Sequence, residues 1–233
     1  MKVGLLCAGD TEVRPVLDLM HVQRITEKAM LKFHEGELSG VNTVALFSGV
    51  CKVNAAIAAQ HLIETFRCDM IINAGTAGGM AEDVDIFDTV VATECAYHDV
   101  AAGILTDFHP WLPTVFFPSH PTLLAAARKA AQRTQEPSRI HFGRVMTGEQ
   151  FITDAERPPI NAAFAPLSVD MESAAVAHVC YVHGVPFLSV RSITDNAAHS
   201  AGDLFYQNCP RASQIAAAFT RDIIAVLKED CTC

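Results

Sequence analysis

Acidic side chains recur at points where a short apolar run gives way to polar sequence. Ala8-Gly9-Asp10-Thr11-Glu12-Val13 follows the run 2–7, Val169-Asp170-Met171-Glu172-Ser173 stands at the mouth of a helical stretch, and Arg191-Ser192-Ile193-Thr194-Asp195-Asn196 ends another apolar run. A cap that complements a helix dipole accounts for any one of these groups. Three such groups after three strands of one parallel sheet exceed what capping predicts, because ligands of these sheets bind at the carboxyl edge. A carboxylate there repels phosphate but can take a proton from water or hold one for a leaving group.

Gly75-Thr76-Ala77-Gly78-Gly79 follows the run 70–73 and is expected as a turn that lets backbone N–H groups approach a ligand. Its spacing matches neither a dinucleotide fingerprint nor a P-loop, and Asn73 stands ahead of it where a phosphate site would want a cation. His178 and His183 lie five apart, and His98, His109 and His120 fall in irregular sequence, so no metal-ligand spacing emerges. Cys231-Thr232-Cys233 reads as a frayed tail rather than a soft-metal site. No metal and no cofactor are expected.

These groups need a scaffold, and the 233 residues supply one: 50% are hydrophobic and 18% charged, the balance of a well-cored globular chain. The runs 2–7, 43–48, 70–73, 88–92, 144–147 and 186–193 read as buried strands. Between them, 52–66 aligns Ala55, Ala59, Leu62 and Phe66 on one stripe, and 210–228 aligns Ile215, Phe219, Ile223 and Val226. Further helices are expected over 122–133 and over 172–182, the latter with Asp170 as its N-cap. The alternation is that of a single α/β domain spanning 1–233. The segment 107–118, with three prolines, three phenylalanines and Trp111, is expected as an extended loop that either folds onto its own domain or, the favoured reading, serves as a subunit contact that also roofs a pocket.

A net charge of −9 makes nucleic acid and anionic membranes improbable partners. The first ten residues carry one cation and an apolar run too brief for a signal segment, and no stretch approaches membrane-spanning length. Eight cysteines, mostly within apolar stretches, suit a reduced cytoplasmic protein.

The motifs Ser48-Gly49-Val50-Cys51-Lys52-Val53-Asn54-Ala55-Ala56, Ile71-Ile72-Asn73-Ala74-Gly75-Thr76-Ala77-Gly78-Gly79, Tyr97-His98-Asp99, Gly148-Glu149-Gln150-Phe151-Ile152, Val169-Asp170-Met171-Glu172 and Arg191-Ser192-Ile193-Thr194-Asp195 form an ordered set over nearly the whole chain. The set resembles the 5'-methylthioadenosine/S-adenosylhomocysteine nucleosidases of the purine nucleoside phosphorylase-like superfamily. The resemblance implies a three-layer α/β/α fold around a mixed, mostly parallel sheet. It also implies a homodimer in which the 100–118 loop reaches the neighbouring pocket, and a nucleoside substrate attacked by water. By the same resemblance, Glu12 activates the water and Asp195 protonates purine N7. Glu172, supported by Arg191, holds the ribose hydroxyls beside Met171. Phe151 stacks on adenine while the Ile152 backbone reads its edge, Phe205 lines the 5' wall, and Val50, Thr76, Ala77 and Gly78 complete the binding surface.

The pattern departs from that family at Gly9, where Met is usual, and at Ala102, Gly103, Ile104 and Leu105, where bulkier residues are common. These changes widen the 5' end toward other adenosine-like nucleosides, such as 5'-deoxyadenosine or aminodeoxyfutalosine. Two other classes stay open: a phosphorylase, recognised by phosphate-dependent release of ribose 1-phosphate, and a nucleoside-binding protein of this fold without catalysis.

Overall fold

The computed structural model describes residues 1–109, 112–134, 139–196 and 201–231, with side chains from 204 onward in the last stretch. In chain order it contains β1 (Lys2–Cys7), α1 (Asp10–Leu19), β2 (His21–Lys28), β3 (Leu31–Leu38), β4 (Val41–Phe47), α2 (Lys52–Glu64), β5 (Met70–Gly79), β6 (Thr89–Tyr97) and α3 (Ile104–Phe108). There follow β7 (Phe117–Pro118), α4 (Pro121–Arg133), β8 (Ile140–Thr147), α5 (Arg157–Phe164), β9 (Ser168–Asp170), α6 (Ser173–His183), β10 (Phe187–Asp195) and α7 (Ala201–Cys231).

The strands form one mixed sheet in the order β10-β6-β8-β9-β5-β1-β4-β3-β2, with β7 on β6. Its centre is parallel, β4 to β1 to β5 to β10, and β1, β5 and β10 are buried almost end to end, as strands covered on both faces must be. β10 pairs with β6 as well as β5, so β10, β6, β8, β9 and β5 curl into a closed ring from which β1, β4, β3 and β2 extend. On one face Val13 and Val16 of α1, Leu123 and Ala127 of α4, and Phe219 and Ile223 of α7 form a core. On the other, Ala55, Ala59 and Leu62 of α2 meet Ala174, Ala177 and Cys180 of α6. This is the three-layer arrangement that the family resemblance implies, within the α/β class expected from the alternation of apolar runs and helical stripes.

Four differences from the sequence reading bear on the site. Residues 75–79 are not a turn but the second half of β5, paired with β10 and, at Gly78 and Gly79, with β9. Their glycines let side chains close against a strand: a Cβ on Gly75 would lie 2.6 Å from Glu12 Oε1 and 2.8 Å from Arg191 Nη1. Helix α7 begins nine residues before Pro210 and runs through it, because one proline removes a single helical hydrogen bond while the flanking turns stay packed. Glu172, not Asp170, is the N-cap residue of α6; Asp170 nevertheless accepts the backbone N–H groups of Glu172 and Ser173. The segment 107–118 is not all extended: α3 ends within it and β7 pairs with β6, burying Phe117, while Pro110 and Trp111 lie outside the described residues.

The hairpin of β2 and β3 carries little apolar pattern, since β2 is mostly exposed. It is held by its ladder, by the forked pair of Arg24 on Glu35 at 2.9 Å, and by a two-residue turn with Ala29 and Met30 at φ of 52° and 63°.

Candidate active site

A cavity of about 440 Å³ opens at the carboxyl ends of β1, β5 and β10. Of the residues singled out in the sequence, it brings together Glu12, Val50, Thr76, Ala77, Gly78, Phe151, Ile152, Met171, Glu172, Asp195 and Phe205. Arg191 does not line it; it stands one layer behind, fully buried.

Glu12 lies in the first turn of α1. Its Oε2 accepts the backbone N–H groups of Ala8 at 2.8 Å and Gly9 at 3.0 Å, so it caps its own helix. Its Oε1 accepts the backbone N–H and the hydroxyl of Thr76 at 2.7 and 2.8 Å. Capping and cavity lining are thus performed by one carboxylate.

Glu172 sits between β9 and α6, with Oε1 accepting the N–H of Cys51 at 3.0 Å and Oε2 3.5 Å from Arg191 Nη2. Burial pushes its carboxyl up to about 7 against the pull of Arg191, with Asp170 and Glu12 adding to the rise. Arg191 is tied more closely to Asp170, Nε to Oδ2 at 2.9 Å, and its other donors reach Asn73 Oδ1, Ser173 Oγ and the Thr76 carbonyl. Thr147 donates to the other oxygen of Asp170 at 2.6 Å. Asp170 therefore anchors both the arginine and the helix that presents Glu172, and Asn73 is a structural acceptor.

Asp195 ends β10, where the pairing with β5 slips so that the register passes from Ile193–Ala77 to Asp195–Gly78. Such a bulge re-aims a side chain and here accompanies a buried carboxyl facing the cavity. Thr194 Oγ1 donates to Oδ1 at 2.8 Å and Arg157 Nη2 to Oδ2 at 2.8 Å. Burial raises the Asp195 carboxyl above its ordinary value, with Thr194 and Arg157 opposing the rise.

Arg157 was not singled out in the sequence; the fold buries it at the start of α5. Tyr206 and Cys209 were missed because α7 was expected to begin at 210; Phe205 meets Phe151 edge-on with ring centres 5.7 Å apart. Gly9 is at the cavity, and a Cβ there would meet nothing within 4 Å. Both guanidinium groups beside the cavity, Arg157 and Arg191, are paired with buried carboxylates, an arrangement poorly suited to holding phosphate. Among the described residues no group of histidine, cysteine, aspartate and glutamate side chains is arranged to hold a metal ion, and no helix is long and apolar enough to cross a membrane.

Fold and cavity define the class, and residues 2–225 match the sequence profile of the phosphorylase superfamily. Within that superfamily the chain belongs to the 5'-methylthioadenosine/S-adenosylhomocysteine nucleosidases, a family of N-glycosyl hydrolases. It is 37% identical to the nucleosidase of Actinobacillus succinogenes, over 98% of this chain and 100% of that relative. The nucleosidase of Colwellia psychrerythraea, solved with adenine, superposes with a TM-score of 0.90 at 30% identity, covering 97% of this chain and 96% of that one. A futalosine hydrolase of Helicobacter pylori superposes with a TM-score of 0.86 at 26% identity, covering 96% and 97%.

Proposed function

We propose that this chain hydrolyses the N-glycosidic bond of 5'-methylthioadenosine, S-adenosylhomocysteine or a related 5'-substituted adenosine, releasing adenine. The observation that carries the reading is the convergence of Glu12, Glu172 and Asp195, from three separate strand ends, on one cavity. As the bond from C1' to N9 breaks, its electron pair passes into the purine and positive charge grows on the sugar carbon. Asp195 gives a proton to N7, and Glu12 takes one from the water that attacks C1'. Glu172 accepts from the ribose hydroxyls beside Met171, with Arg191 and Asp170 holding it in place. Phe151 stacks on the base, the Ile152 backbone reads its edge, and Val50, Thr76, Ala77 and Gly78 line the floor. A pair of acids flanking the scissile bond with room for water is the logic of inverting glycoside hydrolysis.

Phe205 borders the 5' end, and the open space at Gly9 supports tolerance of larger 5' substituents. The shared sheet supports reading 1–233 as one domain. A homodimer through α2, α6 and the 100–118 loop is supported by the exposed apolar side chains Val53, Ile57, Ile104, Phe108, Tyr181 and Val182 on those elements. Buried thiols at Cys7, Cys68, Cys95, Cys180 and Cys209 support a cytoplasmic setting.

The test is adenine release from a panel of 5'-substituted adenosines by the wild type, Asp195→Asn and Glu12→Gln. Each substitution is expected to lower kcat by about 10²- to 10⁴-fold, the usual worth of a positioned acid or base. Wild-type rates in either variant would refute the role given to that residue.

A further inference from the structure

We infer that Arg157 is a positioning residue for the purine-side acid: its guanidinium fixes the Asp195 carboxyl and shields the negative charge left there once the proton has passed to the base. This rests on Asp195 being that acid.

The geometry is that of a purpose-built holder. Asp195 faces the cavity, while Arg157 is buried and does not line it. Arg157 Nη2 donates to Asp195 Oδ2 at 2.8 Å, and Nη1 donates to the Gly79 carbonyl, so the arginine ties the carboxyl to the end of β5, beside the bulge that aims it. Thr194 holds the other oxygen. Both oxygens are therefore oriented before substrate arrives.

The chemical consequence concerns the charge left behind. When the N9 bond breaks, the Asp195 proton goes to N7 and a carboxylate remains in a buried site, where an unpaired charge is strongly disfavoured. Arg157 supplies its counter-charge, which makes Asp195 a stronger acid than burial alone would allow; a proton from solvent then restores it for the next turnover. Asp195 pairs with Gly78 of β5, where Ala77, Gly78 and Gly79 carry no charge, and among the described residues the charged groups that act on it are Arg157 and Asp154. Among the described residues Arg157 also meets Asp154, with Oδ1 3.8 Å from Nε and a largely exposed side chain. Asp154 acts against Arg157, raising the Asp195 carboxyl.

The experiment is the pH profile of kcat for the wild type, Arg157→Gln, Arg157→Lys, Asp154→Asn and Asp195→Asn, with thermal unfolding of each. Activity falls on the alkaline side as Asp195 ionises. Arg157→Gln should lower kcat about tenfold or more and move the alkaline limb up by about 1 to 3 pH units, the reach of a neighbouring opposite charge. Arg157→Lys should restore most of both, and Asp154→Asn should move the limb down. An Arg157→Gln profile with the wild-type limb would overturn the inference, whatever its kcat, because lost packing alone lowers a rate without moving an ionisation. If Arg157→Gln does not fold, an unmoved limb in Asp154→Asn overturns it instead. Wild-type activity in Asp195→Asn would refute the acid assignment itself and is read separately.

Discussion

Glu172 carries a prediction that needs no substrate. Its ordinary value is 4.5 and burial pushes it up to about 7, so between those values the folded chain holds a proton that the unfolded chain has lost. The stability this group contributes is fully present below about 4.5 and is lost as the pH rises to about 7. Glu172→Gln cannot titrate, so its Tm should depend less steeply on pH across that window than the wild type's. Parallel curves would show that Glu172 ionises normally. At this scale the sequence was informative where a carboxylate follows an apolar run, as at Glu12, Glu172 and Asp195. It was silent at Arg157, whose burial depends on β5 and β10 meeting α5 from far along the chain, a contact no local pattern encodes.

At the scale of elements, β5 is both central strand and site wall. Gly75→Ala would set a methyl group against Glu12 Oε1 and Arg191 Nη1 at 2.6 and 2.8 Å, and both side chains are held in place, Glu12 by the Thr76 N–H and hydroxyl and Arg191 by Asp170. We expect a loss of about 1–3 kcal/mol from overpacking, read as a fall in Tm of about 2–4 °C per kcal/mol, together with a fall in kcat/KM. Unchanged activity would mean that Glu12 can work from a shifted position. The strand itself was only half legible. Its apolar start 70–73 was plain, but glycine-rich 75–79 looks like a turn unless one knows that β10 and β9 supply its partners. The β2–β3 hairpin escaped for the opposite reason: β2 is mostly exposed and polar, and the turn has no glycine. Pro210 hid the first turns of α7, and with them Tyr206 and Cys209.

For the whole molecule, the α/β class was legible because apolar runs alternate with helical stripes, while the three layers were implied by the family resemblance. The closure of β10 onto β6 was not, since it depends on sheet curvature. The apolar side chains exposed on α2, α3 and α6 predict a solution mass of twice the chain in sedimentation equilibrium. Val182→Glu, at a site 59% exposed in the single chain, should halve that mass and reduce adenine release if the neighbouring 100–118 loop completes the cavity. A monomeric wild type would contradict the proposed assembly.

The central claim is that water displaces the base. Adenine release from 5'-methylthioadenosine, followed in phosphate-free buffer and again after addition of phosphate, tests it directly. Equal rates and a free sugar product are predicted, since the arginines beside the cavity are already engaged by Asp170, Glu172 and Asp195. Release that requires phosphate and yields a sugar 1-phosphate would contradict the account.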